Sequence, residues 1–360
     1  KESFKNPPDT SKPGVYWYFM DGNLSREGMT KDLESMKKVG ISNLIFLEVG
    51  IGVPRGQVDF MSPEWQDLYV HAVREAERFG IKILLGAGPG WCGSGGPWVK
   101  PEESMKHLVY SEKKITGGKK VNVTLPIPEQ RSTTWHTMKD PYYEDVAVYA
   151  IPNNVKPVIE DINEKALYER DPISSKPNVK THLPAPANFE KVDKRNILSQ
   201  EDIIDVTKYL QPNGTLVWDA PLGKWTIIRM GKRVTGASTR PSPEPVIGLE
   251  ANKMNKEHFE NHLKNYTDVL LEKTAPRKEG VGWTGFHMDS WESGAQNWTE
   301  GIVDEFKNRR GYDPEPYFLA YTGRAVQSVE ITERFLWDLR QTCKELVLEN
   351  IQANRGKIRL

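Results

Sequence analysis

The run Asp289-Ser-Trp291-Glu292 closes an apolar stretch, Val281 to Met288, and leads into Ser-Gly-Ala-Gln296-Asn297-Trp298. No packing requirement explains so abrupt a change from apolar residues to acids, amides and indoles. Cleavage of a glycosidic bond needs one carboxyl to protonate the leaving oxygen and another to activate water or attack carbon. Asp289 and Glu292 are candidates for that work. Trp291 and Trp298 offer faces on which a sugar ring can stack, and Gln296 and Asn297 can hydrogen-bond its hydroxyls. Plainer readings stand beside these. Either acid can cap a helix starting near Thr299 or pair with an arginine, and Gln296 to Trp298 can simply pack the helix entry. Two acids three residues apart in one loop do not flank a scissile bond, so a further carboxyl is expected from another strand end.

Three such acids precede this run: Asp21, Glu48 and Glu250. In Glu250-Ala-Asn252-Lys253 a strand-end ion pair between Glu250 and Lys253 competes with substrate or metal contact. Gly88-Pro-Gly-Trp91-Cys-Gly-Ser94-Gly-Gly-Pro-Trp98 holds five glycines and two prolines. Such loops are entropically expensive and suit places where backbone must approach a ligand. Trp91, Ser94 and Trp98 are therefore read as part of a pocket wall, against the alternative of core tryptophans. His287 sits in an apolar strand and reads as structural. Cys92 has no His or Asn pattern to make it a nucleophile.

The elements that position these residues follow from periodicity. Val15 to Met20, Asn43 to Glu48 and Ile81 to Ala87 read as strands. Between them lie helices opened by Ser25 and by Ser62-Pro63-Glu64 and stopped by Gly40 and Gly80. Alternation of this kind predicts parallel strands with right-handed crossovers. Val246 to Glu250 and Val281 to Met288 read as fourth and fifth strands, with a helix capped by Asn255 between them. Later helices are expected over Thr299 to Arg310 and Ala325 to about Asn350. From about Ile115 to Lys232, strand-like pieces separated by polar, Pro-rich stretches predict a β-rich insertion. The fold expected is a (β/α)8 TIM-type barrel, with sites at the C-terminal strand ends. It is incomplete in this chain, at about five units. The expected division is 1–114 for the first part of the barrel, 115–232 for the insertion and 233–360 for the second part. A doubly wound sheet lacks support, since no Gly-x-Gly-x-x-Gly or P-loop follows a strand.

Lys+Arg and Asp+Glu each number 49, so no basic field points to nucleic acid. No apolar run approaches the ~18 residues of a membrane span. Two cysteines, Cys92 and Cys343, make neither a disulfide framework nor a thiolate metal site. No signal peptide is visible in this chain.

Taken together, Asp21-Gly-Asn with Arg26-Glu-Gly-Met-Thr-Lys-Asp-Leu, Pro89 to Trp98, Asp205-Val-Thr, the Gly214 to Arg229 block, Gly248 to Lys253 and Asp289 to Trp298 resemble glycoside hydrolase family 106, the α-L-rhamnosidases. The resemblance implies a catalytic barrel interrupted by a β-rich insertion, release of terminal α-L-rhamnose with inversion, and a calcium ion that helps bind the sugar hydroxyls. It places a catalytic carboxylate at Glu292, with Glu250 and Asp289 as further candidates, and Glu292 and Asn252 as metal ligands. It also implies other essential carboxylates beyond residue 360, a glycoside substrate, and a periplasmic or secreted setting. The residues alone leave open a retaining glycosidase acting on another sugar and a sugar-binding barrel without turnover.

Overall fold

The structure is a computed structural model that describes residues 2–5, 7–8, 11–91, 94–131, 138–169, 192–289 and 292–355. It forms two compact units. One comprises residues 1–104, 238–293 and 349–360; the other comprises 105–237 and 294–348.

The first unit is the α/β part. Strand β1 (Gly14–Met20) is followed by helix α1 (Arg26–Lys38), β2 (Asn43–Val49), α2 (Pro63–Phe79) and β3 (Lys82–Gly86). Local chemistry sets these limits. The Ser25 hydroxyl accepts from the Gly28 N–H to start α1. Ser62 accepts from the Trp65 N–H, Pro63 fits the first turn of α2, and Gly80 ends that helix at φ 69°. Next come β4 (Gly95–Gly96), β5 (Leu249–Glu250), helix α3 (Lys256–Lys273) and β6 (Gly282–His287). β1, β2, β3 and β6 form one parallel sheet in that order. Trp17, Phe19, Phe46, Ile83, Leu85 and Trp283 point from one face of it into a core. There they meet Met29 and Leu33 of α1, Trp65 and Tyr69 of α2, and Tyr266 and Leu270 of α3. Each such large apolar side chain contributes about 1.5–3 kcal/mol by leaving water.

Two expectations need correction. Val246 to Glu250 is not a member of the parallel sheet: only Leu249–Glu250 is extended, and it pairs antiparallel with Gly95–Gly96. Glycine makes that approach possible. A Cβ on Gly248 would lie 2.0 Å from the Gly96 carbonyl carbon, and one on Gly95 would lie 2.1 Å from the Leu249 oxygen. The stretch read as a fifth strand is therefore the fourth of the sheet, directly beside β3. Among the described residues the sheet does not close into a barrel.

In the second unit the long strands pair antiparallel. Lys224–Val234 is the hub, pairing on one side with Lys106–Thr116 and on the other with Tyr143–Pro152. Thr215–Ala220 pairs with Lys119–Thr124. Val121, Val148, Leu216, Trp218 and Ile227 are among the residues that fill the core between them. Helices Ile302–Arg310 and Val329–Arg355 follow, most of the latter within this unit. Asp205-Val-Thr has a structural role here. Asp205 accepts from the Thr207 N–H at 2.8 Å, and the Thr207 hydroxyl accepts from the Val148 N–H at 2.8 Å.

Candidate functional site

The C-terminal ends of the four parallel strands carry Asp21, Glu48, the Gly88–Trp91 turn and Asp289. They differ sharply in exposure. Glu48 is 1% exposed and lies under the surface. Its carboxylate accepts from the Gly22 N–H at 3.0 Å and from the Trp65 indole N–H at 2.5 Å. Burial drives it up to about 7 against those two stabilising bonds. Asp21, at φ 48°, accepts through one carboxylate oxygen from the N–H groups of Ile51, Gly52 and Val53 at 3.1–3.2 Å. Both acids therefore hold the turns after β1 and β2.

Glu250 is fully buried as well. Its carboxylate accepts from Lys253 Nζ and from the Ser94 hydroxyl, each at 2.8 Å. The ion-pair reading of Glu250-Ala-Asn-Lys253 is thus realised, and Ser94 is spent in fastening the glycine loop to it. Trp98 turns inward at the other end of that loop. Its ring stacks on His262 and Tyr266, and its indole N–H donates to His262 Nδ1 at 3.0 Å. His262 Nε2 donates to the Ala87 carbonyl at 2.8 Å, and burial pushes this imidazole down to about 4, keeping it neutral. One histidine thereby ties the glycine loop at both ends.

Asp289 is partly exposed and Glu292 exposed, and both are held by side chains in place of the backbone donors that occupy Asp21. Asp289 Oδ2 accepts from the Tyr16 hydroxyl at 3.1 Å and faces His287 Nε2 at 3.3 Å. Glu292 is accompanied by the Trp91 indole N–H at 3.4 Å and the Arg240 guanidinium at 3.6 Å. The arginine does not draw Glu292 away from the glycine loop. Arg240 itself lies against that loop, its carbonyl 2.6 Å from where a Cβ on Gly90 would sit. Trp91 meets Tyr18 edge-on at 6.3 Å, Tyr18 stacks on Tyr16 at 5.3 Å, and Tyr16 meets His287 edge-on at 5.8 Å. A row of rings thus borders the two carboxylates. Trp291 and Cys92 lie outside the described residues.

Gln296, Asn297 and Trp298 belong to the second unit and are buried there. Asn297 accepts from the Leu108 N–H and donates to the Ala166 carbonyl, both at 2.7 Å, so its amide ties two backbone segments. Trp298 packs edge-on against Phe318. Helix-entry packing, the plainer reading of these residues, is what the structure displays.

Calcium takes six to eight oxygen ligands. Asn252 is fully buried, its Oδ1 accepts from the Met254 N–H at 3.1 Å, and its amide nitrogen faces His258. Glu292 faces a guanidinium. Among the described residues no cluster of three His, Cys, Asp or Glu could hold a metal ion. These residues do not by themselves fit a calcium site, and no chemical step is derived through one.

The sequence pattern assigned no role to Tyr16, Tyr18 or Arg240, and His287 read as structural. The phenols carried a faint signal: in Tyr16-Trp-Tyr18-Phe they alternate with the core residues Trp17 and Phe19, which puts their polar tips on the opposite face.

Solvent-accessible acids bordered by aromatic rings at the C-terminal ends of parallel strands are compatible with an α/β glycoside hydrolase. The family model of alpha-L-rhamnosidase, glycoside hydrolase family 106, matches residues 5–357, and the chain belongs to that family. A rhamnosidase of solved structure from Novosphingobium sp. PP1Y matches with a TM-score of 0.74 at 26% identity, over 96% of this chain and 44% of that one. A Formosa agariphila protein named "Putative beta-glucuronidase" is 36% identical over 357 residues, 98% of this chain and 29% of that protein. The chain therefore spans under a third of that curated relative and under half of the solved rhamnosidase. No helix among the described residues is long and apolar enough to cross a membrane.

Proposed function

We propose that the intact protein is an exo-acting α-L-rhamnosidase that releases terminal α-L-rhamnose from glycans with inversion, in the periplasm or outside the cell. The observation that carries this reading, beside family membership, is the pairing of part-exposed Asp289 and exposed Glu292 with Tyr16 and Trp91 at the strand ends. In the mechanism proposed, one carboxyl protonates the departing oxygen while a carboxylate across the sugar activates water. Asp289 and Glu292 supply one side of that pair, and the other comes from outside the described residues.

We also infer that the parallel sheet is part of a (β/α)8 barrel interrupted by the β-rich segment. Curvature supports this. β1 and β6 are three strand spacings apart, about 14 Å along a flat sheet, yet Tyr16 of β1 and Asp289 beyond β6 touch. Along β6 runs an apolar groove of about 610 Å³, lined by residues including Phe259, Leu263, Phe286, Met288 and Ile351. A further strand and helix would cover such a surface. Calcium assistance belongs to the proposal through family membership alone.

The test is release of an aryl alcohol from an aryl α-L-rhamnoside by the intact protein, with and without chelator, with NMR of the first anomer formed. Glu292→Gln is expected to lower kcat by about 10²–10⁴. No release at any calcium concentration, or an unimpaired Glu292→Gln variant, rejects the reading. Initial formation of the retained anomer rejects inversion. A second reading, hydrolysis of a β-glucuronide, draws on the relative's name and on Arg240, whose guanidinium suits a uronate carboxylate. An aryl β-glucuronide assayed in parallel separates the two.

A further inference from the structure

Two polar side chains from two strands converge on Asp289, and Tyr18 stacks against one of them. Tyr16 and Tyr18 come from β1 and His287 from the end of β6. The Tyr16 hydroxyl and His287 Nε2 address the same oxygen, Oδ2, at 3.1 and 3.3 Å. The negative charge of Asp289 reaches both phenols. Tyr16 is held above its ordinary value first by the hydrogen bond to Asp289, and Tyr18 first by burial and then by the Asp289 charge. Tyr16 and Tyr18 are both exposed, at 46% and 36%, so the row is not core packing that strayed to the surface. The Tyr16–His287 edge contact fixes the two donors relative to each other.

We propose that Tyr16 and His287 are positioning residues that fix the orientation and ionisation of Asp289 for the glycosidase reaction. The inference rests on the reading of Asp289 as part of the reaction site. Two donors on one carboxylate oxygen restrict rotation of the group and favour its ionised form. Removing the phenol hydroxyl while keeping its ring should let the carboxylate rotate and bind a proton more readily.

The experiment uses Tyr16→Phe in the intact protein, with unchanged circular dichroism as a check of folding. Carbodiimide labelling of Asp289, read by peptide mass spectrometry across pH, reports protonation of that carboxyl without turnover. The midpoint is expected to rise by about one pH unit. On an aryl α-L-rhamnoside, kcat is expected to fall about tenfold with KM nearly unchanged, as for an interaction made mainly in the transition state. His287→Gln, which keeps a donor, should lose less than His287→Ala. An unmoved labelling midpoint overturns the proposal whatever the activity, and a moved midpoint with wild-type kcat overturns the catalytic purpose assigned to it. Absence of rhamnosidase activity in the wild type rejects the functional reading instead, and the labelling result still decides the geometry.

Discussion

Replacing Glu48 by Gln should change how stability depends on pH, by an amount that follows from its burial. Its folded carboxyl is raised from the ordinary 4.5 to about 7, with desolvation as the largest cause. Folding therefore takes up a proton between those values. The contribution of Glu48 is complete below about pH 4.5 and is lost as pH rises through about 7. At 1.36 kcal/mol per pH unit the full span is about 3 kcal/mol. Between pH 5 and pH 8 about 2–3 kcal/mol of it is realised, because an unfolded glutamate is already largely ionised at pH 5. Gln carries no such dependence. It does turn an amide N–H₂ toward either the Gly22 N–H or the Trp65 indole, which costs about 1–2 kcal/mol at every pH. The prediction therefore lies in the slope. Urea titrations of the intact protein at pH 5 and pH 8, followed by tryptophan fluorescence, should show Glu48→Gln gaining about 2–3 kcal/mol on the wild type across that interval. Parallel pH curves for the two proteins would falsify the reasoning, since they would mean that Glu48 is solvated or charged in the fold.

Lys253→Met should destabilise the first unit by about 3–5 kcal/mol, because it strands the buried Glu250 carboxylate; equilibrium denaturation reads this directly. Asn297→Ala should cost about 2–4 kcal/mol through two lost backbone bonds while leaving KM for any glycoside unchanged in the fraction that folds. A raised KM in that variant would return Asn297 to the sugar site.

The α/β portion was legible because its signals are local. Serine caps, a first-turn proline and left-handed glycines stand within a few residues of the boundaries they set. Val246 to Glu250 misled for the opposite reason. An apolar run ending in an acid has the pattern of a barrel strand, and what cancels it is the closeness of Gly248 to Gly96, far away in sequence. Asn297 and Trp298 show a related ambiguity. Amides and indoles serve a sugar pocket and a buried joint equally well, and the choice depends on Leu108, Ala166 and Phe318, which no local spacing reveals. Tyr16 and Asp289 are 273 residues apart, and only the tertiary fold brings them together.

The strand-end acids looked alike in sequence, each a carboxylate after an apolar run, and burial is what separates them. A carboxylate that acts on a substrate must be reachable and must keep an oxygen for it. Glu48 and Glu250 are buried and have both oxygens or their ion pair committed, while Asp21 is occupied by three backbone donors. These three acids shape the turns and the glycine loop on which Trp91 stands. Asp289 and Glu292 are held by side chains that themselves lie at the surface, Tyr16 and His287 for one and Trp91 and Arg240 for the other. On the function proposed, a sugar over that ring row would meet these two carboxylates, and substitutions at the buried acids Glu48 and Glu250 should register in stability before they register in catalysis.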